Sequence, residues 1–430
     1  MRRRGGTTVR LTAVALLAAT TAGCWLQTGF GPDRRAHNDL ETEVTAATVG
    51  DLAPRWTATV GSRPGEALVD RGRVFAAADD GITALDLGSG AELWNGCCTG
   101  GPAIVDGGIR VATGGADQCR MWSVDPATGA IDELGRLGPV LPGFLGGCQP
   151  GAVLGVGSRA IAPWAVFVGP VPGGSPGPCT RIESFVLSGP GLTALDTGAG
   201  GDWEHSEAEG RCFTGPTPGL PMIGELASDG TSILFPQFRT LHALPLDCVA
   251  AGCPASWSVD IAPSVGAGAT IVGPPVVLVG GDIALATSDG HVVVVDGTTH
   301  QVAWTATLGA PLDQALAATP TTVFATGTDG TLVALPAGGC GAATCDPEWT
   351  ATLAGAASAR PSIGGDVVYA GSAEGTVTAL PATGCGDATC DALWTGTTPG
   401  RVTGAPVIDD GTVIVGSTDG TVTAFGLPAG

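Results

Sequence analysis

The chain has 430 residues, a formal net charge of −21 and 19 basic residues, all of them arginine. So acidic a surface repels nucleic acid and anionic lipid, which excludes DNA and RNA binding as a function class. With 71 glycines, 32 prolines and 44% apolar residues, Val, Thr and Gly prominent among them, the composition points to strands and tight turns rather than long helices, and is too apolar for a disordered chain.

Residues 1–10 carry Arg2, Arg3, Arg4 and Arg10, Leu11 to Ala22 are apolar or small, and Thr21-Ala22-Gly23-Cys24 follows. A basic region, a short apolar region and a small-residue cleavage site form a secretory signal, with an apolar run too short to remain as a spanning helix. The cysteine directly after Ala-Gly resembles the lipobox of bacterial lipoproteins, with Thr21 where Leu is usual. The resemblance implies a signal peptide over 1–23, lipidation of Cys24, and a location on the extracytoplasmic face of the cell membrane. Thirteen cysteines agree with an oxidising compartment.

Trp25 to Trp56 holds Trp25, Phe30-Gly31, Arg34 or Arg35, Asn38, Glu41-Thr42, Thr45, Val49, Leu52 and Trp56. This pattern resembles the leader of bacterial pyrroloquinoline-quinone-repeat (PQQ-like) β-propellers. It implies a lipidated N-terminus and leader at 24–52, packed on a propeller that fills 53–430.

One unit is written twice, TDGTLVALPAGGCGAATCDPEW and AEGTVTALPATGCGDATCDALW, with Trp349 and Trp394 45 residues apart. A period of that size marks a repeat architecture. Each unit reads as four strands. An Asp-Gly turn, as at Asp80-Gly81, Asp289-Gly290, Asp329-Gly330 and Asp419-Gly420, separates the second from the third, and a tryptophan opens the fourth. Units are expected near 65–96, 101–136, 149–210, 217–261, 270–308, 313–354, 358–398 and 403–430, giving an all-β, eight-bladed β-propeller of four-stranded antiparallel blades. The last unit lacks a tryptophan strand, whereas Arg55–Gly61 is such a strand with no unit before it; the N-terminal strand should complete the last blade and close the ring. Trp56, Trp94, Trp203, Trp257, Trp304, Trp349 and Trp394 resemble the docking tryptophans of quinoprotein propellers, and a small Ala on the third strand can accept a neighbour's ring.

Cys248–Cys253, Cys340–Cys345 and Cys385–Cys390 share one spacing, Cys-x4-Cys-x3-Trp, across the loop between the third and fourth strands. Disulfide staples fit better than a zinc site, which would need four ligands converging in an exported protein. A further bridge is expected between Cys179 and Cys212, and two among Cys97, Cys98, Cys119 and Cys148, whose pairing the spacing leaves open. The adjacent pair Cys97-Cys98 also resembles the disulfide ring that covers the cofactor of methanol-oxidising quinoproteins.

If there is a pocket, the central channel should hold it, lined by Arg63, Glu66, Asp313, Gln314, Arg360 and Arg401 near the starts of the first strands. With Cys97 and Cys98 these are the candidate cofactor-binding residues. No catalytic residue, metal site or phosphate loop is indicated, and the five histidines are scattered. The expectation is a membrane-anchored, non-catalytic binding or scaffold module with no cofactor and a protein or small-molecule partner. The alternative is a dehydrogenase of alcohols or sugars using pyrroloquinoline quinone with calcium.

Overall fold

The computed structural model describes residues 24–114, 119–137, 148–168, 181–188, 193–196, 225–246 and 255–428. The signal segment 1–23, the bridges proposed for Cys179–Cys212 and Cys248–Cys253, and Trp203 lie outside the described residues.

The structure is all-β and propeller-like, with seven blades rather than the expected eight. Each blade is a four-stranded antiparallel meander with strands A to D running from the channel outward, and in blade 6 the leader strand His37–Asn38 adds parallel to the inner edge. Blade 1 is Leu68–Asp70, Arg73–Ala78, Gly81–Asp86 and Glu92–Gly96; blade 2 is Ala103–Val105, Gly108–Thr113, Cys119–Val124 and Ile131–Leu137. Blades 3 to 6 begin with Ala227–Ser228, Ile271–Val277, Ala317–Ala318 and Ser362–Gly364. Blade 7 takes strands A to C from Val407–Asp409, Thr412–Ser417 and Thr421–Gly426, and its D strand is Ala53–Thr59, paired antiparallel to Thr421–Gly426.

The unit expected at 149–210 does not repeat this plan. Cys148–Pro150 and Leu154–Val156 both pair with Arg159–Val168, so the inner strand is split, and Arg181–Ser188 and Thr193–Asp196 follow on the other edge. In blades 1, 4, 5 and 7 a short turn with Asp-Gly sets the register of strands B and C, as Glu374-Gly375 does in blade 6. Here the sequence carries a Pro/Gly-rich insert instead, and nothing local enforces the blade register.

Antiparallel order puts the A–B turns and C–D loops on one face, and the B–C turns and blade-to-blade connections on the other. Tryptophans join the blades on the first face. Trp56 lies on Gly90, Trp94 on Gly129, Trp304 on Gly339 and Trp349 on Gly384, each glycine in the next blade's C–D loop, where any Cβ would come within 2.8 Å of the ring. In blade 4 His300 holds the equivalent place with φ 54° and stacks on Trp257 at 4.4 Å. The third-strand alanines do something other than expected: Ala84, Ala334 and Ala379 are the cross-strand partners of their own blade's tryptophan. The neighbour's ring is received by the glycine.

The described cysteine loops add a second joint. Cys340 and Cys345 are bonded, as are Cys385 and Cys390. Each loop lies along the outer strand of the preceding blade: Thr305 N–H donates to Ala343 O and Cys345 N–H to Thr305 O, and Thr350 and Cys390 repeat the pattern with Ala388 O and Thr350 O. Part of an exposed sheet edge is thereby covered. The two tryptophans under these loops, Trp304 and Trp349, are 4% and 5% exposed, whereas Trp56, Trp94, Trp257 and Trp394 are half-buried. Replacing Cys385 and Cys390 by serine should cost about 2 kcal/mol, the value for so small a closed ring. It would be read as a lower urea midpoint with an unchanged m-value.

Candidate functional site

The innermost strand of every blade turns one backbone edge toward the channel, and unpaired N–H groups there would cost about 1–3 kcal/mol each. The leader satisfies them in blade order. Val69 N–H donates to Trp25 O, Ile104 to Leu26 O, Ser228 to Pro32 O, Val277 to Asp33 O, Ala318 to Arg35 O and Ile363 to Ala36 O. Gln27 exchanges side-chain bonds with Gly155 of the split sheet, and Asn38 Nδ2 donates to Ile408 O of blade 7. Residues 25–38 thus run around the inside of the channel and touch each sheet in turn, His37–Asn38 pairing parallel to Ser362–Gly364 of blade 6. So tight a circuit needs left-handed backbone, and Gly29, Phe30, Arg34 and Ala36 have φ of 76°, 71°, 61° and 51°.

The leader closes the channel toward the A–B face. What remains is a cup of about 530 Å³ open on the opposite face. Arg63, Glu66, Asp313, Gln314 and Arg360 line it, together with Thr28, Asp79 and Glu225, and glycine, alanine and proline make up most of the rest. Arg401, expected in this set, does not line the cup.

Glu66 is the hub. Its Oε1 accepts from Trp25 Nε1 at 2.7 Å and Gly29 N–H at 2.6 Å, and Arg360 donates to both carboxylate oxygens at 2.8–3.1 Å. Both side chains of this ion pair are 6% exposed. Beneath it Arg34 is fully buried, donating Nε–H to Leu226 O at 2.7 Å and Nη1–H to Thr28 O. Burial pulls its pKa down to about 10, with Arg360 adding to the fall and Glu225 and Glu66 opposing it, so Arg34 stays charged at neutral pH. Sequence reasoning placed Arg34 or Arg35 in the leader motif without assigning a role. It missed Trp25, Thr28 and Gly29 as parts of the channel, because their partners lie far along the chain.

Cys97 and Cys98 are bonded to each other. Cys98 packs between blades 1 and 2 against Leu68, Phe75, Ile104 and Val111, and neither cysteine lines the cup. Cys119 is disulfide-bonded as well. Among the described residues no three His, Cys, Asp or Glu side chains gather as metal ligands.

The family model described as outer membrane protein assembly factor BamB matches residues 254–384 and 342–427. No curated protein sequence matches the chain. Among solved structures, the quinohemoprotein alcohol dehydrogenase of Comamonas testosteroni is similar at a TM-score of 0.65 and 15% identity, over 96% of this chain and 82% of that one. BamB from Moraxella catarrhalis is similar at 0.57 and 16%, over 87% and 99%. A europium-containing methanol dehydrogenase is similar at 0.63 and 14%, over 92% and 90%. At such identities the likeness carries the fold. With the repeat match, it makes this chain a β-propeller of the pyrroloquinoline-quinone-repeat type.

Proposed function

We propose that the protein is a lipid-anchored, extracytoplasmic propeller that works as a non-catalytic binding or scaffold module. The observation that carries this reading is the state of Glu66. The carboxylate central to the cup is saturated by Trp25, Gly29 and Arg360 of its own chain, which makes it an architectural group rather than a base open to a substrate.

The lining also suits a quinone cofactor poorly. A flat conjugated ring binds best between aromatic or other planar surfaces, and among the described residues no aromatic side chain lines the cup. The Cys97–Cys98 ring packs between blades instead of over the opening. The residues of the cup therefore do not fit that cofactor. They are better suited to a polar group presented by a soluble partner or small molecule, with the exposed Arg63 and Asp313 at the mouth.

Lipidation at Cys24 would set the orientation. Cys24 lies beside Asp70 and Arg71, in the A–B turn of blade 1, so a lipid on its sulfur would leave from the A–B face. The cup would then open away from the membrane. Two measurements test this. Cys24→Ser should move the protein from the membrane to the soluble fraction with its fold intact, and persistence at the membrane would refute the anchor. Incubation of the purified protein with pyrroloquinoline quinone and calcium should give no dye reduction with alcohols or sugars; clear turnover would refute the non-catalytic reading.

A further inference from the structure

Where the leader enters and leaves the channel, three carboxylates are buried together. Asp70, Asp409 and Glu41 are 8%, 5% and 6% exposed. Glu41 is satisfied by the backbone N–H groups of Glu43, Val44 and Gly411. Asp409 is not: its Oδ1 is buried with no partner among the described residues. The cation paired with the group is Arg71, 3.8 Å from Asp70 and itself 80% exposed. Burial, with Asp410, Glu41 and Asp70 adding to it, pushes the Asp409 carboxyl up to about 7. The cluster is short of positive charge.

Residue 24 borders it. Trp25 bridges antiparallel to Val69, which sets Cys24 opposite Asp70. The Cys24 thiol is raised by its burial, by a hydrogen bond with Asp70, and by the charges of Asp70 and Asp409, so both carboxylates are near. Hydrolysis of the Gly23–Cys24 peptide bond consumes one water and leaves a carboxylate on Gly23 and an amine on Cys24. That amine takes up a proton at neutral pH, since an α-amino group titrates near 8. We propose that the α-ammonium of processed Cys24 is the counter-ion of Asp70 and Asp409, and that it is left unacylated. The inference rests on the lipoprotein reading above and adds the chemical state of the new terminus. An acylated nitrogen would be a neutral amide, unable to offset two carboxylates.

The composition supplies a clean assay. The sequence contains no lysine, so a processed chain with an unacylated terminus has one primary amine. The test uses protein purified from its native membrane, an amine-reactive reagent, and mass spectrometry of the N-terminal peptide. The expected result is a terminus at Cys24 with a free amine that is labelled about tenfold more slowly in the folded than in the unfolded protein, as one unit of raised amine pKa gives. Asp409→Asn should restore fast labelling in the folded state.

The same substitution should also change the sign of its effect on stability. In the unprocessed chain the folded pKa of Asp409 lies above the unfolded one, so the stability this residue permits is present at low pH and lost as pH rises through about 7. At pH 8 Asp409→Asn should therefore raise the melting temperature of the unprocessed chain by about 2 °C and lower that of the processed chain by as much. A terminus at Cys24 whose amine is acylated, or is labelled equally fast folded and unfolded, would overturn the inference and leave the anchor reading standing. A terminus elsewhere would overturn both.

Discussion

Glu66→Ala is expected to destabilise the propeller by about 3–5 kcal/mol, the loss typical when one partner of a buried ion pair is removed. It should appear as a large fall in the urea midpoint. The size follows from what the carboxylate holds. Without it the Arg360 guanidinium remains 6% exposed and loses its acceptors, while its Nη1 already has no partner among the described residues. The indole N–H of Trp25 and the N–H of Gly29 lose theirs as well. The converse change is gentler. Arg360→Met leaves Glu66 two donors from the leader, so it should cost less than Glu66→Ala. The double variant should fall short of the sum by about 1–3 kcal/mol, because the second substitution removes the orphaned charge that the first creates. Strict additivity would mean that Glu66 and Arg360 do not stabilise the ring as a pair.

The same contacts show why some of the site could be read from the sequence and some could not. Glu66 and Arg360 sit near strand starts of recognisable units, so the repeat itself points their side chains to the channel. Trp25, Gly29 and Arg34 belong to a segment with no period. Their partners are Glu66 and the backbone of Leu226, up to 192 residues away, and no local rule connects them. The blades follow the same division. From Ile271 onward, short turns between strands B and C set the register, and the strands fall close to where the pattern puts them. Between Cys148 and Asp196 the turn is replaced by an insert, and the inner strand splits in two. The adjacent cysteines show a different limit. Their position after the first blade is visible in the sequence, but whether the ring covers a cavity or fills a seam depends on packing by Leu68, Phe75 and Ile104.

Trp349→Ala is expected to cost about 3–5 kcal/mol, against roughly half of that for Trp94→Ala. Both tryptophans open or lie in a D strand, and both rest on a glycine of the next blade, Gly384 and Gly129. They differ in what covers them. Trp349 is 5% exposed and packs with Phe324, Leu380 and Cys390, under a loop held by Cys385–Cys390 and bonded to the Trp349 strand through Thr350. Trp94 lies under a shorter loop with no cysteines, is half-buried, and donates Nε1–H to Pro126 O. Removing a ring from a closed pocket leaves a cavity, whereas a half-open site can be filled by solvent. The staple and the ring should therefore be coupled. Opening the Cys385–Cys390 bridge should raise the exposure of Trp349, seen as a red shift of its fluorescence in a variant where it is the dominant emitter. Combined with Trp349→Ala, loss of the bridge should cost less than it does alone. Equal costs for Trp349→Ala and Trp94→Ala would mean that the stapled loops serve the sheet edge and contribute nothing to the joint between blades.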